Sequence, residues 1–205
     1  MKINLPNQIT IGRLFLSIIF FVCLEQYDAK APVPRAWLMD LSFAVFVIAA
    51  LSDIVDGYLA RKHNQVTSFG RVIDPFVDKI LVLGAYIFLA GEGFIDPTGR
   101  KVTDIALWMV VVILGRELLV TSLRGVTEAA GTSFGANIHG KAKMALQSVT
   151  VGWILLTVAH PEPLAFFTRL RLPLIYLMVV VTVLSGISYL HAARTLLSET
   201  SRPTT

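Results

Sequence analysis

The sequence predicts an all-α integral membrane protein with six transmembrane helices. Three observations lead there. The first is composition: of 205 residues, 55% are hydrophobic and only 16% are charged. Mean hydropathy is +0.68. A soluble domain carries roughly 25% charged residues, and this chain has too few to keep a wet exterior. The second is six apolar stretches, each near the ~20 residues a helix needs to cross the hydrocarbon core. The third is the chemistry of the breaks between them, where proline, glycine and charge collect.

The predicted spans are Ile9 to Tyr27, Trp37 to Ala60, Val72 to Gly91, Val102 to Val126, Lys141 to Ala159 and Leu172 to Leu196. Ile9 to Leu24 lacks a basic leader and a small-residue cleavage site, so it reads as a retained first helix. Pro and Gly mark the breaks at Ala31–Pro34 and Asp96–Gly99, and Pro161 and Pro163 bracket another. Residues 1–197 form one catalytic domain in this reading, and 198–205 a short tail. No repeat or low-complexity segment is evident. The lone cysteine, Cys23, lies in an apolar run and cannot form an internal disulfide.

Six spans return both termini to one side. With the N-terminus inside, the inner segments hold Lys2, Arg13, Arg61, Lys62, Arg71, Arg124, Lys141, Lys143, Arg194 and Arg202. The outer ones hold Lys30, Arg35, Arg100, Lys101, Arg169 and Arg171. The bias favours cytoplasmic termini. The net charge of +4 then suits anionic headgroups and phosphorylated substrates better than nucleic acid.

Ionisable residues within apolar spans are costly and mark function. Asp53, Asp56, Asp74 and Asp78 are four of only 14 acidic residues. On the inner end of the second span, positions 53, 56, 57 and 60 share one helical face. That face presents two carboxylates beside Gly57 and Ala60. On the third span, Gly70, Asp74 and Asp78 are spaced by four, again close to one face. A short connection makes the two helices antiparallel neighbours, so four carboxylates can converge near the inner surface. Unpaired, they would repel and some would bind protons. Hard divalent cations relieve the repulsion, and oxygen ligands suit Mg²⁺, Mn²⁺ or Ca²⁺. Two such ions can clamp a pyrophosphate. Two aspartates three apart are usually a cap or a surface feature; the whole spaced set at a span's end is not.

The set reads Asp53-x2-Asp56-Gly57-x2-Ala60-Arg61-x8-Gly70-x3-Asp74-x3-Asp78. It resembles, position for position, the signature of the CDP-alcohol phosphotransferase family. The resemblance implies a six-helix membrane fold in a homodimer, a bacterial inner-membrane location and an active site facing the cytoplasm. It implies two divalent ions, Mg²⁺ or Mn²⁺, on Asp53, Asp56, Asp74 and Asp78. Asp78 would also be the general base on the incoming hydroxyl. Gly57, Ala60, Arg61 and Gly70 would line the CDP pocket with Asp53, Asp56 and Asp74. Thr10 and Arg13 would reach the phosphates of CDP-diacylglycerol.

The branch of the family that uses glycerol 3-phosphate as acceptor is the most similar. Its likeness includes Leu5-Pro6-Asn7-x2-Thr10-x2-Arg13, Asn64-Gln65-x-Thr67-x-Phe69-Gly70 and Asp74-Pro75-x2-Asp78-Lys79. It continues through Arg116-Glu117-x3-Thr121-x-Leu123-Arg124 and Gly140-Lys141-x-Lys143. Met144 departs from it, standing where threonine is expected. The residues agree on physical grounds. Arg116 and Glu117 interrupt the fourth span, either as a structural pair or as part of a site. Arg124 lies eight residues on, and Lys141 and Lys143 begin the next helix. Arg116, Arg124, Lys141 and Lys143 can surround a dianion near the metals. Lys141 and Lys143 also suit plain positive-inside anchors.

The other polar residues say less. His63, His139 and His191 suit solvated or interfacial positions. Trp37 suits an interfacial belt, and Trp108 and Trp153 suit packing. Two alternatives stay open: the same chemistry on inositol phosphate, serine or phosphatidylglycerol, and a cation-coupled transporter. Transporter sites sit at midplane in repeated halves, whereas these aspartates cluster at one edge.

Overall fold

A computed structural model describes residues 5–62, 68–129 and 138–200. Outside it lie the side chains at 5–7, 53–62, 68–75, 78, 128–129, 138–139, 141, 193 and 195–200. Among the described residues there are six α-helices: α1 (Leu5–Glu25), α2 (Ala36–Lys62), α3 (Ser68–Leu89), α4 (Leu107–Ala129), α5 (Ile138–Ala159) and α6 (Ala165–Thr200). α1 lies against α2 and α3, α2 against α5, and α6 against α4 and α5.

Interhelical bonds establish an alternating up-and-down order. At one end the carbonyl of Gly93, beyond α3, accepts from Ala29 N–H, beyond α1, at 2.8 Å. Tyr27 stacks on Phe94 there, with centroids 5.0 Å apart. His160, after α5, meets Asp40 of α2 at 2.9 Å. Arg171, early in α6, bonds to Asp104, before α4, at 2.6 and 2.9 Å. Gly93 is required at this end, since a Cβ there would stand 2.6 Å from the Tyr27 carbonyl oxygen.

α4 starts at Leu107, five residues later than the apolar pattern predicts. The reason is the outer turn. Asp96 Oδ1 accepts from Thr98 Oγ1 at 2.6 Å and from the amides of Thr98 and Arg100. Those bonds, the Thr98 hydroxyl foremost, hold the Asp96 carboxyl below the usual range. Ile95 bridges to Lys101, and Thr103 Oγ1 caps the Leu89 carbonyl at 2.7 Å. Asp104 has φ 59°, which no helix continues through. α6, in contrast, begins at Ala165, seven residues before the apolar run suggests, and contains Pro173. Proline removes one helical N–H bond, and the first turns of α6 form on its N-terminal side regardless.

Among the described residues, three helices are long and apolar enough to cross a membrane, within Gln8–Glu25, Ala142–Ala159 and Ala165–Ala192. The described side chains of α2 and α3 add shorter apolar stretches, Ala36–Ser52 and Lys79–Leu89. α4 is not among them; it carries Arg116, Glu117 and Arg124. Phe15, Ile18, Val22, Val111, Leu118, Leu177 and Leu184 are all exposed. Such a continuous apolar surface is what a protein presents to lipid.

Between helices the packing is tight. Lipid tails are as apolar as leucine, so helices adhere there by van der Waals fit and small residues. Gly84 is the sharpest case: a Cβ on it would meet Phe21 Cζ at 2.3 Å. Phe21 in turn stacks on Phe88 at 5.2 Å. Halfway along, the fully buried Tyr86 donates to the Gln147 carbonyl at 2.9 Å.

Candidate active site

The alternating order sends six helix ends to one pole: the starts of α1, α3 and α5 and the ends of α2, α4 and α6. The predicted site residues all lie on these six helices. Asp53, Asp56, Gly57, Ala60 and Arg61 are in α2, and Gly70, Asp74 and Asp78 in α3. Only 63–67 separate the two helices, so their ends stand within about 20 Å. The side chains of these eight residues, and of Lys141, lie outside the described part. The expected carboxylate cluster therefore lies outside it too. Among the described residues no group of three His, Cys, Asp or Glu is placed to hold a metal.

Thr10 and Arg13, on one face of α1, are both buried. Ser17 Oγ donates to the Arg13 carbonyl at 2.9 Å, one turn further in.

Three of the four predicted basic residues are described; Arg116 pairs with Glu117, as the sequence allowed, and the other partners were not indicated by it. Arg116 donates through Nη1 to Glu117 Oε1 at 2.8 Å. The Lys143 ammonium reaches the same oxygen from α5. All three side chains are more than nine-tenths buried. Arg116 also donates through Nη2 to Ser185 Oγ of α6 at 2.5 Å. Its Nε is buried with no hydrogen-bond partner among the described residues. Arg124 donates to Tyr189 Oη at 2.6 Å. The Tyr189 ring centroid is 5.4 Å from the Arg116 guanidinium carbon and 5.3 Å from that of Arg124.

Lys79, which the sequence singled out only as part of a motif, joins the group. Its ammonium donates to Thr121 Oγ1, and that hydroxyl donates to the Glu117 carbonyl at 2.7 Å. Lys79, Glu117, Lys143 and Gln147 line a cavity of about 150 Å³ with Val82, Leu83 and Met144. Gln147 Nε2 donates to Thr182 Oγ1 of α6 at 3.2 Å. Met144, the departure noted in the sequence, thus forms part of an apolar wall. The signals that could have pointed to these partners are the DK step at 78–79 and the i, i+3, i+7 polar spacing of Thr182, Ser185 and Tyr189 in an apolar helix.

Among the described side chains, Arg116 and Lys143 are buried together on one carboxylate, Glu117, with Lys79 and the exposed Arg124 beside them. A buried cation in excess of its counter-ion is costly until an anion joins it. The arrangement can bind a phosphate.

A transmembrane helical bundle with a cationic recess beside acidic helix ends is a place for phosphate chemistry on lipids. The family model for CDP-alcohol phosphatidyltransferase matches residues 3–193, and the chain belongs to that family. It is 39% identical over 197 residues to a CDP-diacylglycerol–glycerol-3-phosphate 3-phosphatidyltransferase of Bacillus subtilis, covering 91% of this chain and 93% of the relative. Proteins of the same name from Rickettsia bellii and Salmonella typhimurium are each 32% identical, over 93% and 95% of this chain and 96% and 97% of theirs.

Proposed function

We propose that this chain transfers the phosphatidyl group of CDP-diacylglycerol to sn-glycerol 3-phosphate, forming phosphatidylglycerophosphate and CMP. Family membership and the relatives' names support the reaction class. The observation that carries the acceptor is that two buried cations, Arg116 and Lys143, share the single Glu117 carboxylate among the described side chains. A neutral alcohol would leave that surplus unmet. A phosphate dianion meets it, and Arg116 Nε is a donor still to be used.

In this reading Asp78 takes the proton from the primary hydroxyl of glycerol 3-phosphate. The freed oxygen attacks the β-phosphorus of CDP-diacylglycerol, the bond from that phosphorus to the bridging oxygen breaks, and CMP leaves. Arg116, Arg124, Lys141 and Lys143 hold the acceptor phosphate. Thr10, Arg13, Asp53, Asp56, Gly57, Ala60, Arg61, Gly70 and Asp74 hold the CDP-diacylglycerol headgroup. The family is generally dependent on a divalent metal. The donor set fits one: Asp53, Asp56, Asp74 and Asp78 offer only hard carboxylate oxygen, from two helices joined across residues 63–67. Two ions, Mg²⁺ or Mn²⁺, would neutralise the diphosphate and the leaving CMP. Holding both reactants in line lowers the entropic part of the barrier.

The acyl chains stay in the bilayer while the headgroups react at its edge. The reading includes six spans, a bacterial inner-membrane location, a pole facing the cytoplasm and a homodimer. The decisive experiment uses detergent-purified protein, CDP-diacylglycerol, Mg²⁺ or Mn²⁺ and a panel of alcohols. CMP release with glycerol 3-phosphate, and little with inositol phosphate, serine or phosphatidylglycerol, is the expected result. Release with another acceptor alone, or with none, would reject it.

A further inference from the structure

α6 carries a polar stripe through an apolar helix, and the reaction above gives it no task. Ser185, Gly186 and Tyr189 lie on one arc of that helix. Ser185 accepts from Arg116. Gly186 makes room for the same residue: a Cβ there would stand 3.2 Å from Arg116 Cγ. Tyr189 takes Arg124 on its hydroxyl and lies within cation–π range of both guanidiniums. Its ring is 2% exposed. Its hydroxyl also touches the first turn of α5, where a Cβ on Gly140 would come within 3.2 Å. Lys141 and Lys143 follow directly in the same helix.

Tyr189 therefore stands between α4 and the start of α5, the two helices that carry the predicted acceptor-binding residues. Two guanidiniums on one helix, Arg116 buried and Arg124 more exposed, repel each other. A ring quadrupole shared by both, and one hydroxyl bonded to the second, offset that repulsion and fix their separation. Glu117 cannot do this for Arg124, because its bonds go to Arg116 and Lys143.

We propose that Tyr189 is a positioning residue that spaces Arg116 and Arg124 for the acceptor's phosphate, with Ser185 and Gly186 as the seat for Arg116. This rests on the acceptor being glycerol 3-phosphate, as proposed above. Tyr189 touches guanidiniums and a helix turn, so its effect is on acceptor affinity, through the arginines.

The test is steady-state kinetics on the full chain in detergent, with each substrate varied in turn. Tyr189→Phe keeps the ring and loses the bond to Arg124; KM for glycerol 3-phosphate should rise about fivefold. Tyr189→Leu loses both contacts, and the rise should be about thirtyfold. In both, KM for CDP-diacylglycerol should change less than about twofold, a split expected of lost acceptor binding alone. Gly186→Ala provides an independent arm: it crowds Arg116 from the other side and should raise the same KM. Thermal midpoints read alongside separate positioning from folding. An unchanged acceptor KM in Tyr189→Phe, or equal changes in both KM values, overturns the inference while leaving the reaction intact. A wild-type protein that releases no CMP with glycerol 3-phosphate overturns the functional reading, and this inference with it.

Discussion

Lys143 of α5 and Glu117 of α4 form an ion pair across the bundle, with 5% and 9% of their side chains exposed. The same Glu117 oxygen also holds Arg116. One carboxylate thus organises two cations from two helices.

Removing that carboxylate's charge should be severe. Glu117→Gln leaves two buried cations without a counter-ion, a change that costs about 3–5 kcal/mol when one partner of a buried pair is lost. The expected outcome is a lower thermal midpoint in detergent and a loss of turnover. Glu117→Asp, keeping the charge on a shorter stem, should recover part of both. A Glu117→Gln protein as stable as the parent would show that the pair contributes little.

Asp78→Asn tests the proposed base. Loss of a general base costs about 10²- to 10⁴-fold in rate. Turnover should fall within that range while CDP-diacylglycerol still binds, as measured by retention of labelled lipid. Undiminished CMP release would remove Asp78 from the role.

The opposite pole offers a control. Arg171 is 4% exposed and donates twice to Asp104 and once to Thr157. Asp104→Ala should cost about 3 kcal/mol of stability by the same unpaired-charge argument. Neither KM should change, since the contact is remote from the site. A changed acceptor KM would mean that the two poles are coupled.

Gly84→Leu tests packing between α1 and α3. The new side chain must displace Phe21, which is already stacked on Phe88. Overpacking of this kind costs about 1–3 kcal/mol. The thermal midpoint should drop, and Phe21→Ala placed in the same chain should restore part of it.

Periodicity was enough to read the helices. A run of apolar residues has few options in a bilayer, so all six helices occur near where the pattern sets them. The ends were less legible. Val102 to Ala106 are apolar enough for helix, yet Thr103 and Asp104 are committed to bonds with residues distant in sequence. Arg171 looked like a charge in an outer segment, and its burial depends on Asp104, which local pattern cannot supply. Trp153 was read as packing; its ring meets Phe167 edge-on and its Nε1 donates to the Phe167 carbonyl at 2.9 Å. Lys79 and Tyr189 went unassigned for a related reason. Their roles come from facing helices, and a single sequence records each helix's face without saying what stands opposite.

The buried bond from Tyr86 to the Gln147 carbonyl has a longer reach than its position suggests. It is an index mark between two cylinders that could otherwise turn on their axes. Lys79 is seven residues before Tyr86, two turns away on nearly the same line. Lys143 is four before Gln147, one turn away. A twist at this uncharged midpoint would swing both ammonium groups off their bearings, so the aim of the charged pole is calibrated by a phenol far from any charge.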